Sequence, residues 1–139
     1  MSAHWTMFGE MRFFHPGIVR DARRWAVGKS RDRAAWVDPD DLELVVSELV
    51  TNALRHSASG YNDGGVDVRL FVDPAARVMR LVVVDDGHAA TKPEIPVRSW
   101  GIGDATSGRG LLIVKNLVRD MGFTIASARD RFCLLWVEM

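Results

Sequence analysis

The segment from Asp38 to Ser57 constrains the fold most, because it combines a helix start with a helical pattern of apolar residues. Asp38 can cap a helix, Pro39 suits the first helical position, and the acids that follow favour the positive end of the helix dipole. The apolar face of this central helix consists of Leu42, Val45, Val46, Leu49 and Ala53. A helix with one apolar face must pack against another layer, so the rest of the chain has to supply that layer.

The remaining segments predict strands and two further helices. Residues 66–72 alternate as a strand does, and a turn at Asp73-Pro74 leads into the apolar run 78–84, which predicts a hairpin. In full, we expect a strand over 5–14, helices over 18–30 and 39–57, strands over 66–72 and 78–84, a helix over 107–122, and strands over 123–128 and 132–137. This order predicts an α+β two-layer sandwich, in which three helices cover one face of a mixed, mostly antiparallel sheet.

Composition restricts the class of protein. The 139 residues, 47% of them hydrophobic, fit one domain spanning residues 1–139. Eighteen basic and eighteen acidic side chains give zero net charge, so no long-range field attracts nucleic acid or an anionic membrane. The single cysteine, Cys133, excludes an internal disulfide, and four scattered histidines do not make a zinc site. Without a signal-peptide pattern or a membrane-length apolar run, the expected location is the cytoplasm.

Three short motifs carry candidate chemistry. The central helix places Glu48, Asn52 and His56 at intervals of four, so they lie along one stripe of its surface. The strand over 78–84 runs directly into Asp85-Asp86-Gly87, which puts a carboxylate where the chain must turn. Taken singly, these motifs also fit a solvated helix face and a common turn.

The third motif, Gly108-Arg109-Gly110, opens a helix after a long segment without periodicity. Free backbone N–H groups and the positive dipole end make such a place suited to phosphate, and glycine lets an anion approach the backbone. A Gly-x-Gly alone also fits an ordinary helix entry. The order of the three motifs, with a long loop before the last, is what points to a nucleotide site.

ELVTNALRH (48–56), DDG (85–87) and GRGLLIV (108–114) resemble, in that order, the N, G1 and G2 boxes of the Bergerat-fold ATPases. This superfamily includes gyrase, sensor histidine kinases, heat-shock chaperone ATPases and MutL. The resemblance is strongest to its small single-domain branch, the anti-sigma-factor serine/threonine kinases of bacteria and their actinobacterial relatives, and it extends over nearly the whole chain.

The resemblance implies a role for each motif. Asn52 would help to hold a Mg²⁺ ion that bridges the phosphates, and Glu48 would be the general base. Asp85 would accept a hydrogen bond from the adenine amino group, and Gly87 would let the adenine ring approach the backbone. The residues implied around the phosphates are Gly108, Arg109, Gly110 and Leu111, with His56 and Arg55 nearby. The loop between the second and third motifs would be a lid over the nucleotide.

The function implied is an ATP- and Mg-dependent protein serine/threonine kinase that binds a sigma factor and phosphorylates an antagonist, or anti-anti-sigma, protein. Relatives commonly form homodimers, so a homodimer is implied as well. The alternative is a regulatory module that binds ATP or sequesters a partner without phosphotransfer. Two departures favour this alternative: His88-Ala89 replaces a glycine of larger relatives, and Leu134 stands where relatives carry a threonine near the adenine carboxylate.

A third interpretation is a detached catalytic domain of a histidine kinase. We expect it less than the other two, because no phosphoacceptor-helix segment precedes the domain in this sequence.

Overall fold

A computed structural model of the chain describes residues 4–56, 64–87, 107–125 and 133–139. Over these residues the chain forms five strands and three helices in the predicted order. They are β1 (Thr6–Phe14), α1 (Ile18–Arg33), α2 (Pro39–His56), β2 (Gly65–Asp73), β3 (Val78–Val84), α3 (Ser107–Leu117), β4 (Asp120–Ile125) and β5 (Cys133–Glu138).

The five strands form one sheet in the order β1-β2-β3-β5-β4. Every neighbouring pair is antiparallel, so the sheet has no parallel pair among the described strands. Helices α1 and α2 pack against each other and against the first three strands, and α3 packs against α2. The predicted α+β two-layer sandwich is therefore confirmed. One face of the sheet meets the helices through a single apolar core.

Helix α2 begins and packs as its sequence predicts. Asp38 Oδ1 accepts hydrogen bonds from the backbone N–H groups of Asp40, at 2.8 Å, and Asp41, at 3.2 Å, which satisfies two donors of the first turn. All five residues of the predicted apolar face are at most 2% exposed. The helix is thus held by its cap at one end and by the core along its length.

The predicted end of α3 is wrong. The helix ends at Leu117, and residues up to Gly122, which were expected to continue it, already belong to β4 from Asp120 onwards. The Arg119 N–H donates to the Glu138 carbonyl oxygen at 2.8 Å, so the chain joins the edge of β5 as soon as the helix stops. Within α3, Leu112 is 48% exposed, so it does not pack in the core as Leu111 and Val114 do.

The face of the sheet away from the helices is covered by charged and aromatic side chains. The Arg80 guanidinium lies 4.4 Å from the Trp5 ring centroid and 5.1 Å from that of Trp136, and it also pairs with Glu138. Gly122 makes room for this arrangement, since a Cβ there would lie 2.7 Å from Trp136 Cζ2. These contacts shield the part of this sheet face around Arg80 from solvent. Among the described helices, none combines the length and apolar character needed to span a bilayer.

Candidate functional site

Asp85 lies directly after β3, at the edge of the core, and is only 6% exposed. Its Oδ1 atom accepts hydrogen bonds from the backbone N–H groups of Gly87, at 2.7 Å, and Cys133, at 3.0 Å. Gly87 has a φ angle of 83°, a conformation that a side chain disfavours, so the tight turn after the carboxylate depends on glycine. A carboxylate buried in this way is held in one orientation.

The position beside Asp85 is Cys133 and not Leu134, contrary to the expectation from the sequence. Leu134 is the partner of Val84 in the β3–β5 register, so both side chains lie on the sheet face away from the helices. Cys133 is buried in the core on the helix side, where Asp85 also lies. Leu134 therefore does not remove a hydrogen bond from the Asp85 carboxylate.

Asp86 links the turn at residues 85–87 to β1 and β2 by hydrogen bonds. The sequence did not indicate this role. Its Oδ1 accepts a 2.6 Å bond from Arg12 Nη2 on β1, and its Oδ2 accepts a 2.7 Å bond from the Gly65 N–H at the start of β2. Arg12 also contacts Asp67 at 3.3 Å. The hydrogen bond to Asp86 raises the pKa of the Arg12 guanidinium above its ordinary value. The turn that carries Asp85 is thereby fixed to β1 and β2.

Glu48 and Asn52 lie one turn apart on α2, and both are half-buried. Helix α3 meets α2 at this point, with the Glu48 carboxylate directly over the Cα of Gly110: a Cβ at Gly110 would overlap Oε2 and lie 3.0 Å from Cδ. Gly110 belongs to the first turns of α3. The first N–H groups of any α-helix have no partner within the helix, and this end carries the positive dipole charge. The structure therefore brings the first and third motifs together.

The other predicted site residues are placed less completely. His56 ends α2, and Gly108 and Arg109 lie in the first turn of α3, but their side chains are outside the described part of the chain. Leu111 is buried, and its side chain packs in the core. The loop predicted as a lid, at 88–106, also lies outside the described residues. The roles of all these residues stay predictions.

The donor set at Glu48 and Asn52 fits a nucleotide-bound Mg²⁺ and not a cage made of protein alone. In the described ranges, no group of three or more His, Cys, Asp or Glu side chains could hold a metal ion. Mg²⁺ takes oxygen ligands, keeps several waters, and is usually bound through substrate phosphates and one or two protein groups. The Asn52 amide oxygen suffices as such a group, and it lies one helical turn from Glu48, whose carboxylate lies against the first turns of α3.

Comparison with known proteins identifies the family of the chain. A family model described as "Histidine kinase-like ATPase domain" matches residues 15–134. The sensor protein kinase PilS of Pseudomonas aeruginosa is 36% identical over 74 residues, which cover 52% of this chain but only 14% of that protein. The chain therefore spans a small part of that curated relative.

Two nucleotide-free structures of the catalytic domain of histidine kinase ThkA share the fold. Their TM-scores are 0.54 and 0.55 at 14% sequence identity, and the match covers 94% of this chain and 96% of each ThkA chain. At this identity the likeness concerns the fold alone, whereas the family model matches most of the sequence. The chain belongs to the histidine kinase-like ATPase domains, a family of ATP-binding domains.

Proposed function

We propose that this chain is an ATP-dependent protein serine/threonine kinase of the anti-sigma-factor type, which binds a sigma factor and phosphorylates an antagonist protein. The observation that carries the proposal is the approach of Glu48 on α2 to Gly110 on α3. It puts a carboxylate next to the helix end that suits phosphate, with Asn52 one turn further along α2. The resemblance of LVVSELVTNALRHS (44–57) and GRGLLIV (108–114) to anti-sigma-factor kinases supports this branch of the family.

Each part of the site has a task in nucleotide binding. Asp85 is held by Gly87 and Cys133, and its carboxylate can accept a hydrogen bond from the adenine amino group. Asn52 and the N-terminal end of α3 would hold the phosphates and Mg²⁺. When bound, Mg²⁺ would neutralise part of the charge on the phosphate oxygens.

In the transfer step, the oxygen of a serine or threonine hydroxyl attacks the γ-phosphorus. A new O–P bond forms, the bond between the γ-phosphorus and the β,γ-bridging oxygen breaks, and ADP leaves with the electron pair. Glu48 accepts the hydroxyl proton as the bond forms, which is general base catalysis. Without an antagonist, water could take the place of the hydroxyl and give ADP and phosphate.

Transfer of labelled γ-phosphate from Mg-ATP to proteins that co-purify with the chain tests the proposal. Phosphoserine and phosphothreonine survive acid, whereas phosphohistidine hydrolyses in it. Acid-stable label that disappears with Glu48→Gln is the expected result. Bound ATP without any transfer would favour the non-catalytic module, and acid-labile label would favour a histidine kinase.

A further inference from the structure

A side chain at position 110 would collide with the Glu48 side chain in the position that Glu48 has in the structure. A Cβ built on Gly110 would overlap Glu48 Oε2 and come within 3.0 Å of Cδ and 3.7 Å of Cγ. All three atoms belong to the outer part of one side chain, and none belongs to the backbone. The contact therefore concerns where the carboxylate lies, and not whether the two helices can pack.

We propose that Gly110 is a positioning residue for the general base: by lacking a side chain, it allows the Glu48 carboxylate to lie against the first turns of α3. This inference rests on the proposed function, because it explains the missing side chain of Gly110 by the position of the general base and not by phosphate binding. A methyl group at position 110 would turn the Glu48 side chain away, since a half-buried flexible chain moves more easily than a helix. The base would then be out of reach of the attacking hydroxyl.

The chain offers a matched control in Gly28, a glycine inside α1. In the described part of the chain, a Cβ at Gly28 would have no heavy atom within 4 Å outside its own helix backbone and chain neighbours. Gly28→Ala therefore adds the same methyl group to a helix without a new contact of this kind. Alanine is a better helix former than glycine, and both Gly28→Ala and Gly110→Ala are expected to keep or raise Tm. A loss of activity with an unchanged or higher Tm separates positioning from unfolding.

The test measures three quantities on the full chain: the rate of phosphate release from Mg-ATP in a single turnover, the Kd for Mg-ATP, and the carboxyl-carbon NMR signal of Glu48, assigned with Glu48→Gln. For Gly110→Ala we expect a release rate reduced about 100-fold or more, in the range of general base catalysis, as in Glu48→Gln. The Kd should change less than about threefold, which is less than about 0.7 kcal/mol. The Glu48 signal should shift in Gly110→Ala and stay unchanged in Gly28→Ala.

The double variant Gly110→Ala, Glu48→Ala tests whether Gly110 acts through Glu48. Once the carboxylate is removed, Gly110→Ala should not reduce the rate of phosphate release any further. The inference is overturned if Gly110→Ala releases phosphate at the wild-type rate. It is also overturned if Gly110→Ala weakens Mg-ATP binding equally with and without Glu48, since Gly110 would then act on the phosphates. If the wild-type chain releases and transfers no phosphate, the proposed function fails and the catalytic role of Gly110 fails with it. The NMR signal, read without nucleotide, still reports whether the contact exists.

Discussion

Asp85 and Cys133 are joined by hydrogen bonds in both directions. The Asp85 N–H donates to the Cys133 carbonyl oxygen at 3.1 Å, and the Cys133 N–H donates to Asp85 Oδ1 at 3.0 Å. The first bond continues the backbone ladder between β3 and β5 by one residue. In the second bond, the Asp85 side chain takes the place of a backbone acceptor. A carboxylate fixed to the sheet in this way needs little reorganisation when it binds the adenine ring of a nucleotide.

Asp85→Asn is expected to weaken Mg-ATP binding at least about tenfold while Tm changes little. The asparagine oxygen can still accept both backbone bonds, but its NH₂ group presents a donor to the adenine amino group, and a hydrogen bond to a charged acceptor is worth about 1.5–3 kcal/mol. Calorimetric titration and thermal denaturation measure the two effects. Asp73→Asn is the matched control, because Asp73 is also a buried carboxylate at a strand end, 7% exposed, and lies outside the site. Equal affinities for both variants and wild type would disprove the role of Asp85.

Leu134→Thr is expected to leave the Kd for Mg-ATP within about twofold, because a hydroxyl on the far face of the sheet cannot reach the Asp85 carboxylate. Cys133→Leu is expected to weaken binding, since a larger side chain would crowd the carboxylate from the helix side. The overpacked core should also cost about 1–3 kcal/mol of folding stability. Calorimetry on both variants shows how a substitution on each face of the sheet changes the Kd for Mg-ATP. Tighter binding by Leu134→Thr would restore the interpretation made from the sequence.

Asp86→Ala is expected to destabilise the fold by about 1–3 kcal/mol, because it leaves the Gly65 N–H without its acceptor. Arg12→Gln should cost less than about 1 kcal/mol, since the Arg12 side chain is 36% exposed and a solvent-screened ion pair contributes little. Urea unfolding of the two variants shows which of them loses more free energy of unfolding. If Arg12→Gln were the more costly change, the ion pair and not the backbone bond would hold the turn.

Asp38→Ala is expected to lower the free energy of unfolding by about 1 kcal/mol, the usual cost of a lost helix cap. Asp40→Ala is the control, because Asp40 contributes its N–H to the cap and keeps it in the variant. Urea unfolding, followed by circular dichroism, measures both. Equal stability of Asp38→Ala and wild type would show that the core holds α2 without the cap.

The sequence predicted α2 well, because its capping residue and its apolar face both indicate the same helix. The end of α3 was missed because the apolar residues between Leu117 and Met121 fit a helix as well as a strand, and only the pairing with β5 decides. Leu134 was placed beside Asp85 through a register one residue away from the real one. Side chains alternate along a strand, so such a shift moves a residue to the opposite face.

The role of Asp86 could not be predicted, since its partners lie 74 and 21 residues away in the chain. Propensity and periodicity describe neighbours along the chain and do not report which distant strands a turn will touch. The same limit applies to Gly110, whose motif suggested phosphate binding. Only the packing of α3 on α2 shows that its missing side chain makes room for Glu48.

Calorimetric titration of the full chain with Mg-ATP, and with Mg-GTP as the comparison, tests whether the chain binds ATP and whether Asp85 recognises adenine. The expected result is one saturable ATP site with a Kd below the millimolar range. Binding of GTP should be at least about tenfold weaker, because guanine presents a carbonyl oxygen to Asp85 where adenine presents an amino group, and two acceptors without a proton between them repel. Absence of binding at millimolar Mg-ATP, or equal affinity for the two nucleotides, would contradict this expectation.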